Sequence, residues 1–301
     1  MQLPIVHSPA YDADFDPAHR FPMGKYSELA RVLVEDGLAA PGTFIVPEPA
    51  PMNWVKRAHA DEYVNQVYDF DVPPTIQKAI GFELTQKAII RAQCATTGTV
   101  LAAKAALQKG VACNSAGGSH HAHRLHGAGF CTFNDVAVAA HHLLEERAVE
   151  QVLVVDLDVH QGDGTADIFA DDDRVFTASV HAENNYPLAK KVSDFDLGVA
   201  DAMDDSAYLK TLVLVLEKLR GLVPSPDLVF FNAGVDVHAE DRLGKLSLTE
   251  HGIEKRERLV FSHFHQRGIP VCGVIGGGYS RDVRALAKRH AILFHVASEF
   301  V

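Results

Sequence analysis

The segment Gln151-Val-Leu-Val-Val-Asp-Leu-Asp-Val-His-Gln-Gly-Asp-Gly164 joins an apolar run to a cluster of charged side chains. Its apolar residues 152–155, mostly β-branched, favour a strand that is buried on both faces of a sheet. Side chains alternate along a strand, so Asp156, Asp158 and His160 point to one side if the chain stays extended. Because open α/β sheets bind ligands at the carboxyl ends of their strands, this cluster indicates a divalent-metal site. The alternative interpretation is a helix-capping Asp in a solvated loop.

Composition and charge narrow the class of protein. The 301 residues are 47% hydrophobic and 22% charged, as in an ordinary globular chain that can bury a core. The net charge of -11 argues against direct binding of nucleic acid. The four cysteines form no C-x-x-C pair, which suits reduced thiols in a cytosol.

The amino terminus carries no basic leader followed by an apolar core, and no apolar run approaches the roughly 18 residues that span a bilayer. We therefore expect a cytoplasmic protein with no membrane partner. The sequence leaves its oligomeric state open.

Apolar runs alternate with helical spacing along the whole chain. This alternation predicts an α/β fold: one open, mainly parallel sheet flanked by helices on both faces. No repeat or linker divides the chain, so we expect a single catalytic domain over residues 1–301. The predicted strands cover residues 3–6, 44–46, 111–113, 152–155, 175–180, 228–232, 271–275 and 291–296. The predicted helices cover residues 26–35, 61–68 with Asp61 as a cap, 85–109, 136–147, 207–222, 249–266 and 283–289.

A loop rich in Gly and His follows the third predicted strand, as Gly117-Gly-Ser-His120-His121-Ala-His123. Adjacent histidines on such a loop can serve as metal ligands, as acid/base groups or as solvent-facing residues. His123 and His126 have no evident partner in the sequence, so we expect them at the rim or on the surface.

Two further clusters follow later strands. Asp236 comes four residues after Asn232 and is either a helix cap or a ligand. Gly276-Gly-Gly-Tyr279 lacks the spacing of a phosphate-binding loop. Its glycines, Gly277 and Gly278 among them, instead allow the backbone to approach a ligand and would place Tyr279 at the site. The alternative for this motif alone is a turn with a surface tyrosine.

Together the clusters predict one catalytic centre. Asp158, His160 and Asp236 provide three metal ligands and leave a position for water, as catalytic zinc requires, although iron accepts the same ligands. Asp156 and Asp163 would each accept a hydrogen bond from a histidine. The remaining groups are His120 and His121 as the acid/base pair, and the Tyr279 hydroxyl as donor to an oxyanion.

This set of motifs closely resembles the zinc-dependent histone deacetylase superfamily, which also includes acetoin-utilisation proteins and acetylpolyamine amidohydrolases. The motifs stand in the family's order over residues 115 to 280, and the run Asp236-Val-His-Ala-Glu-Asp-Arg-Leu-Gly-Lys-Leu-Ser247 looks most like the class IV branch. Asp16-Pro-Ala-His-Arg-Phe-Pro22 is similar to prokaryotic members. The matching motifs are Gly118-Ser-His120-His121-Ala122, Gly129-Phe-Cys131, Asn134-Asp135, the segment from Asp156 to Gly164, Gly234-Val-Asp236 and Gly276-Gly-Gly-Tyr279.

The resemblance implies a role for each matching residue. The zinc ligands would be Asp158, His160 and Asp236. His120 would pair with Asp156, while His121, paired with Asp163, would act as general base and then as general acid. Tyr279 would polarise the acyl carbonyl together with the metal. Gly129 and Phe130 would line an acyl-lysine tunnel, with Tyr186 near the opposite wall.

The family also holds structural monovalent cations, K+ or Na+. The resemblance places one at Asp156, Asp158, His160, Ser179 and Val180, mostly through backbone carbonyls. A second would lie around Phe169, Asp172 and Val175.

The implied reaction is hydrolysis of an amide, with removal of an acetyl or longer acyl group from the ε-amine of lysine in proteins or peptides. A small acylated amine such as an acetylpolyamine is the alternative substrate; Leu243 lies where polyamine-selective members carry an acidic residue, which favours acyl-lysine. The segment Ala182-Glu-Asn-Asn-Tyr186 departs from the family's usual aromatic wall and puts the acyl-chain preference in doubt. A non-catalytic zinc protein that binds acylated ligands, and a two-manganese site of the arginase type, are the remaining hypotheses.

Overall fold

A computed structural model describes residues 2–301. Its strands are β1 (Ile5–Val6), β2 (Val111–Asn114), β3 (Val152–Asp156), β4 (Val175–Ala182), β5 (Phe195–Val199), β6 (Leu228–Asn232) and β7 (Val271–Val274). Its helices are α1 (Lys25–Glu35), α2 (Met52–Val55), α3 (Asp61–Tyr68), α4 (Pro74–Ile80), α5 (Gln86–Lys109), α6 (Asp135–Glu145), α7 (Asp163–Phe169), α8 (Asp205–Leu222), α9 (Glu250–His265) and α10 (Val283–Ala297). The strands form one sheet in the order β1-β2-β7-β6-β3-β4-β5, and every neighbouring pair is parallel. The predicted fold class is confirmed.

Both faces of the sheet are covered. In β3 the side chains of Leu153 and Val155 join the core on one face, whereas Val152 and Val154 join the core on the other. Helices α1, α8, α9 and α10 contribute to the first core, and α5 and α6 contribute to the second. This double burial explains why β3 is a continuous apolar run rather than an alternating one.

Side-chain caps begin the longer helices, because the first backbone N–H groups of a helix need acceptors. The side chains of Thr85, Asn134, Asp204, Thr249 and Asp282 each accept a bond from the backbone N–H three residues on. Asp61 was predicted to cap α3, and this is wrong: the position before the helix is Ala60, and Asp61 lies in the first turn. There its charge still suits the positive end of the helix dipole.

Two predicted strands do not form, and four elements of the structure, α2, α4, α7 and β5, were not predicted. Residues 291–296 were predicted as a strand but continue α10, because Leu286, His290 and Leu293 recur at helical spacing and are all buried. Residues 44–46 form only a single bridge between Ile45 and Val6, and Pro47 follows, which cannot donate a ladder hydrogen bond. The edge strand β5 was not predicted; its half-exposed Phe-Asp-Leu-Gly-Val alternation was the available signal.

The sheet order brings separate parts of the sequence to one edge. Strands β2, β7, β6, β3 and β4 are consecutive neighbours, and their carboxyl ends point the same way. The loops after these strands carry the predicted site residues, from His120 after β2 to Tyr186 after β4. Among the helices of residues 2–301, none has the length and apolar character to cross a bilayer.

Candidate active site

The three predicted metal ligands lie together at the carboxyl edge of the sheet. One ligand atom from each of Asp158, His160 and Asp236 falls within 4.8 Å of the others, and all three residues are buried. His160 Nδ1 is 3.1 Å from Asp158 Oδ1 and 3.2 Å from Asp236 Oδ2. Zinc–ligand bonds of about 2.0–2.1 Å in a tetrahedron place neighbouring ligand atoms about 3.3 Å apart, so the spacing fits zinc.

Backbone N–H groups hold the two carboxylates in place. Asp158 accepts bonds from the backbone of His160 (2.9 Å) and Gly277 (2.7 Å), and Asp236 Oδ1 accepts one from Val159 (3.0 Å). Asp236 Oδ2 is fully buried and forms no hydrogen bond with any residue from 2 to 301. A buried carboxylate oxygen without a donor is costly unless a cation binds it, which is a second observation that fits a metal.

The charge of the cluster also favours a cation. Burial lowers the pKa of the His160 imidazole, but the carboxylates of Asp158 and Asp236 outweigh it and raise that pKa to about 10. Burial, and then repulsion by Asp158, raises the pKa of Asp236 to about 7. The same negative potential that holds a proton on His160 would hold a divalent ion in its place.

Each of the two adjacent histidines pairs with its predicted aspartate. His120 Nδ1–H donates to Asp156 Oδ2 (2.7 Å), and His121 Nδ1–H donates to Asp163 Oδ1 (2.5 Å). The Nε2 atom of His121 is therefore the free one. Asp135, at the start of α6, accepts bonds from the backbone of the preceding glycine loop and so holds that loop in position.

The two histidines differ in basicity. Burial lowers the pKa of His120, but the charges of Asp156 and Asp158 outweigh burial and raise it to about 9. Burial, and then the neighbouring charge of His120, lowers the pKa of His121 to about 4. His121 is thus the neutral member of the pair near pH 7, as a base requires.

His123 is not a rim residue, and that prediction is wrong. It is only 8% exposed, and its Nε2–H donates to Asp163 Oδ2 (3.1 Å), the oxygen that His121 leaves free. On its other side, Nδ1 lies 3.3 Å from Asp167 Oδ2, and Asp167 in turn pairs with Lys191. The prediction failed because Asp163 and Asp167 lie about 40 residues away in the chain and approach only in the folded protein.

Tyr279 is placed by contacts that the sequence did not indicate. Its backbone N–H donates to Asp241 Oδ2 (2.6 Å), and the Lys25 ammonium lies 3.3 Å from the Gly276 carbonyl in the same loop. Burial, and then the charge of Asp236, raises the pKa of the Tyr279 hydroxyl well above its usual value, so it stays protonated. Asp241 lies in the run from Asp236 to Ser247, but nothing in the sequence points to Lys25, which tertiary packing alone brings here.

No residue with a Cβ fits at the position of Gly277. A Cβ there would lie 2.0 Å from Asp236 Oδ2 and 2.7 Å from Asp158 Oδ2, which is inside van der Waals contact. Gly129 is similar, since its Cβ would lie 2.5 Å from the His121 ring, and its φ is +53°. The predicted close approach of the glycine backbone to the site is present at both positions.

A pocket of about 390 Å³ leads from the surface to these groups. The rings of Phe130 and Tyr279 pack with centroids 5.7 Å apart. The ring of Tyr186 stands at 87° to that of His121, with centroids 4.8 Å apart. The predicted tunnel residues Gly129, Phe130 and Tyr186 therefore line one cavity, together with Leu243.

The residues predicted to hold monovalent cations lie in two places. Ser179 and Val180 lie in β4, and Ser179 is the sheet partner of Asp156 in β3, directly beneath the candidate metal centre. Phe169, Asp172 and Val175 form the turn between α7 and β4, where the Asp172 N–H donates to the Phe169 carbonyl and the Val175 N–H to the Asp172 carbonyl. Binding of a monovalent cation by either group of residues stays a prediction.

Comparison with known proteins gives the relatives of this chain. A model of the histone deacetylase domain matches residues 19–295. An uncharacterized protein of Picosynechococcus sp. is 44% identical over 299 residues, covering 99% of this chain and 99% of that protein. Histone deacetylase 2 of Arabidopsis thaliana is 29% identical over 293 residues, covering 93% of this chain and 76% of that protein. A solved structure of a histone deacetylase homologue complexed with SAHA has a TM-score of 0.86 at 25% identity, covering 100% of this chain and 85% of that one.

The domain match extends over strands β2 to β7 and over the loops that carry the buried Asp-His-Asp cluster, both His–Asp pairs and Tyr279. Sequence identity, fold and family model thus agree along most of the chain. We conclude that this chain belongs to the histone deacetylase family of hydrolases.

Proposed function

We propose that this protein is a zinc-dependent deacylase that removes acetyl or longer acyl groups from the ε-amine of lysine in proteins or peptides. One observation carries the proposal: His121, His160 and Tyr279 line the same pocket, which has a volume of about 390 Å³. The family is zinc-dependent, and the Asp158, His160 and Asp236 cluster fits that ion in spacing and charge.

When bound, zinc would supply the Lewis acidity that polarises the amide carbonyl and makes a water more acidic. The neutral His121 takes the proton of the attacking water at Nε2, because Nδ1 is committed to Asp163. The protonated Tyr279 hydroxyl donates a hydrogen bond to the developing oxyanion. His121 then returns the proton to the leaving amine, while the charged His120 adds positive potential beside Asp156.

The walls of the pocket would hold the substrate. The aromatic rings of Phe130 and Tyr186 both line the pocket and suit the methylene chain of a lysine. Leu243 lines the cavity as an apolar residue, which favours acyl-lysine over an acetylpolyamine because it offers no charge to a second amine. Acetylpolyamines and other small amides are the runner-up substrates.

We also propose that this protein belongs to the class IV branch, that it is a single catalytic domain and that it is located in the cytoplasm. We propose in addition a K+ or Na+ ion at the carbonyls beside Ser179 and Val180. The position of Ser179 against Asp156 supports the cation, since an ion there would help to hold the end of β3, from which the loop with Asp158 starts.

The test is hydrolysis of peptides with acetyl-, trifluoroacetyl-, butyryl- and myristoyl-lysine, beside acetylated polyamines, with metal-stripped and zinc-loaded protein. We expect zinc-dependent turnover of the peptides. Tyr279→Phe should lower kcat about 100- to 1,000-fold, because one oxyanion donor is lost while zinc still binds. Tyr208→Phe removes a buried hydroxyl from α8 and serves as the matched control, with activity unchanged.

Equal turnover by Tyr279→Phe and the wild-type protein would defeat this mechanism. Turnover of acetylpolyamines alone would replace lysine with the runner-up substrate. Stoichiometric zinc without turnover of any substrate in the panel would favour a non-catalytic binding protein.

A further inference from the structure

The mouth of the catalytic pocket carries positive charge. Arg20 and Lys78 are among the residues that line the pocket, and no Asp or Glu is among them. This is unusual on a chain whose net charge is -11. Within residues 2–301, neither side chain has a carboxylate partner within 4.0 Å, and both are exposed. Their charges are therefore available to a bound molecule.

Lys78 is tied to the wall of the pocket by its helix. The last turn of α4 presents the carbonyls of Ala79 and Ile80, which accept bonds from the backbone N–H groups of Gly129 (3.0 Å) and Phe130 (2.7 Å). These bonds join the end of α4, which carries Lys78, to the backbone of Phe130 in the pocket lining. The Lys78 side chain itself is exposed.

Arg20 is placed by its neighbour in the chain. The ring of His19 packs against Phe130 with centroids 6.4 Å apart, and its Nδ1 accepts the backbone N–H of Phe21 (3.0 Å). Arg20 lies between these two anchored residues. Both cations thus belong to segments that contact Phe130, and Tyr186 lines the same pocket.

We propose that Arg20 and Lys78 select acyl-lysine substrates that carry carboxylate side chains next to the acylated lysine, and disfavour polycationic amines. The proposal rests on the lysine-deacylase function proposed above and names its substrate class. An acylated lysine carries no positive charge. The charge that the peptide presents to Arg20 and Lys78 is therefore set by the acidic side chains next to that lysine. A polyamine keeps its other ammonium groups and is repelled by both cations.

The expected size of the effect follows from the exposure of the two charges. Exposed ion pairs are weak, so two of them change kcat/KM by about three- to tenfold at low salt. The change should appear mainly in KM, because charges remote from the scissile bond act equally on the ground state and the transition state. It should fade as salt is raised to about 0.5 M, because the screening length shortens.

The experiment compares three peptides with one acetyl-lysine each, flanked by two Glu, two Gln or two Lys. Zinc-loaded wild-type protein is compared with Arg20→Glu/Lys78→Glu. The matched control is Lys109→Glu/Lys218→Glu, which makes the same change of charge with two exposed lysines near the amino ends of β2 and β6, at the opposite edge of the sheet. Binding of fluorescent versions of the peptides to Tyr279→Phe supplies a readout that needs no turnover.

We expect wild-type and control proteins to favour the Glu-flanked peptide, and the charge-reversed variant to favour the Lys-flanked one. The same ranking should appear in binding to Tyr279→Phe. Turnover of all three peptides with equal KM, or an unchanged ranking in Arg20→Glu/Lys78→Glu, would overturn this inference and leave the deacylase function intact. Zinc-loaded wild-type protein that turns over none of the peptides would overturn both.

Discussion

His123 shows how a single residue can support a candidate catalytic pair, here His121 and Asp163. The Asp163 carboxylate has two oxygens, of which one accepts a bond from His121 and the other accepts a bond from His123. Burial raises the pKa of Asp163, but these two hydrogen bonds outweigh burial and hold that pKa below its usual value. His123 therefore fixes the carboxylate that orients the candidate base, and we regard it as a positioning residue.

We predict that His123→Leu lowers kcat about tenfold, because Asp163 loses one of the bonds that hold it and His121 loses its orientation. His123→Gln should stay within about threefold of wild type, since its amide N–H can occupy the place of Nε2–H. Steady-state kinetics on an acetyl-lysine peptide measures both, with zinc content and Tm recorded for each variant. A His123→Leu enzyme with wild-type kcat would show that Asp163 needs no second donor.

At the scale of the elements, His59 joins three parts of the fold. It lies between α2 and α3, its Nδ1–H donates to the His123 carbonyl (2.8 Å), and its Nε2 accepts the backbone N–H of Asn134 at the start of α6 (2.9 Å). Since one ring nitrogen donates and the other accepts, the imidazole must be neutral. Burial accordingly lowers its pKa to about 4.

This shift predicts acid sensitivity of the fold. Between pH 6.5 and about 4 the unfolded chain binds a proton at His59 and the native protein does not, so the free energy of unfolding falls as pH falls through this window. The full contribution is about 3 kcal/mol, because each tenfold loss of proton affinity corresponds to about 1.4 kcal/mol. Chemical denaturation of wild type and His59→Gln across this range measures it.

His59→Gln should have a lower free energy of unfolding than wild type at pH 7. The Gln amide would fit less well than the imidazole between the His123 carbonyl and the Asn134 N–H. Its stability should then fall less steeply between pH 6.5 and 4, because the titrating group is gone. The same slope in both proteins would assign the acid sensitivity to other residues, such as His7, whose pKa burial also lowers to about 4.

The helices and strands differ in how well the sequence predicted them. The helices that begin at a capping residue, such as α5 after Thr85 and α9 after Thr249, agree with prediction to within one or two residues. Strand β6 agrees at both ends. The prediction of a strand at residues 291–296 was wrong because a short apolar run can be either a strand or the end of a helix.

At the scale of the whole molecule, the metal centre couples the loops after β3, β6 and β7. Asp158 and Asp236 are buried within reach of one another and repel, and Gly277 holds Asp158 from a third loop. A bound cation would relieve that repulsion in the folded protein alone, because the unfolded chain has no assembled site.

We therefore predict that removing the metal with a chelator lowers Tm and that zinc restores it. With zinc at roughly a hundredfold excess over Kd, the stabilisation is about 2.7 kcal/mol. Differential scanning calorimetry of stripped and reloaded protein measures the shift. Asp236→Ala is the control, since it lacks one ligand and should show a much smaller response; an equal response in that variant would place the stabilising ion elsewhere.

The sequence by itself determined the order of strands and helices, the motifs that carry the chemistry and the edge of the sheet where they meet. It did so because hydrophobic periodicity and capping act between residues close in the chain, and because parallel strands place their carboxyl ends together. From this, Asp158, His160 and Asp236 could be predicted as one cluster, whereas the pairing of His120 with Asp156 and of His121 with Asp163 was implied by the family resemblance.

Only the tertiary structure decided which side chains from distant parts of the sequence contact the candidate site residues. It placed His123 on Asp163, Lys25 behind the glycine loop, and Arg20 and Lys78 at the mouth of the pocket. None of these contacts has a local signal, because each depends on the packing of segments that are far apart in the chain.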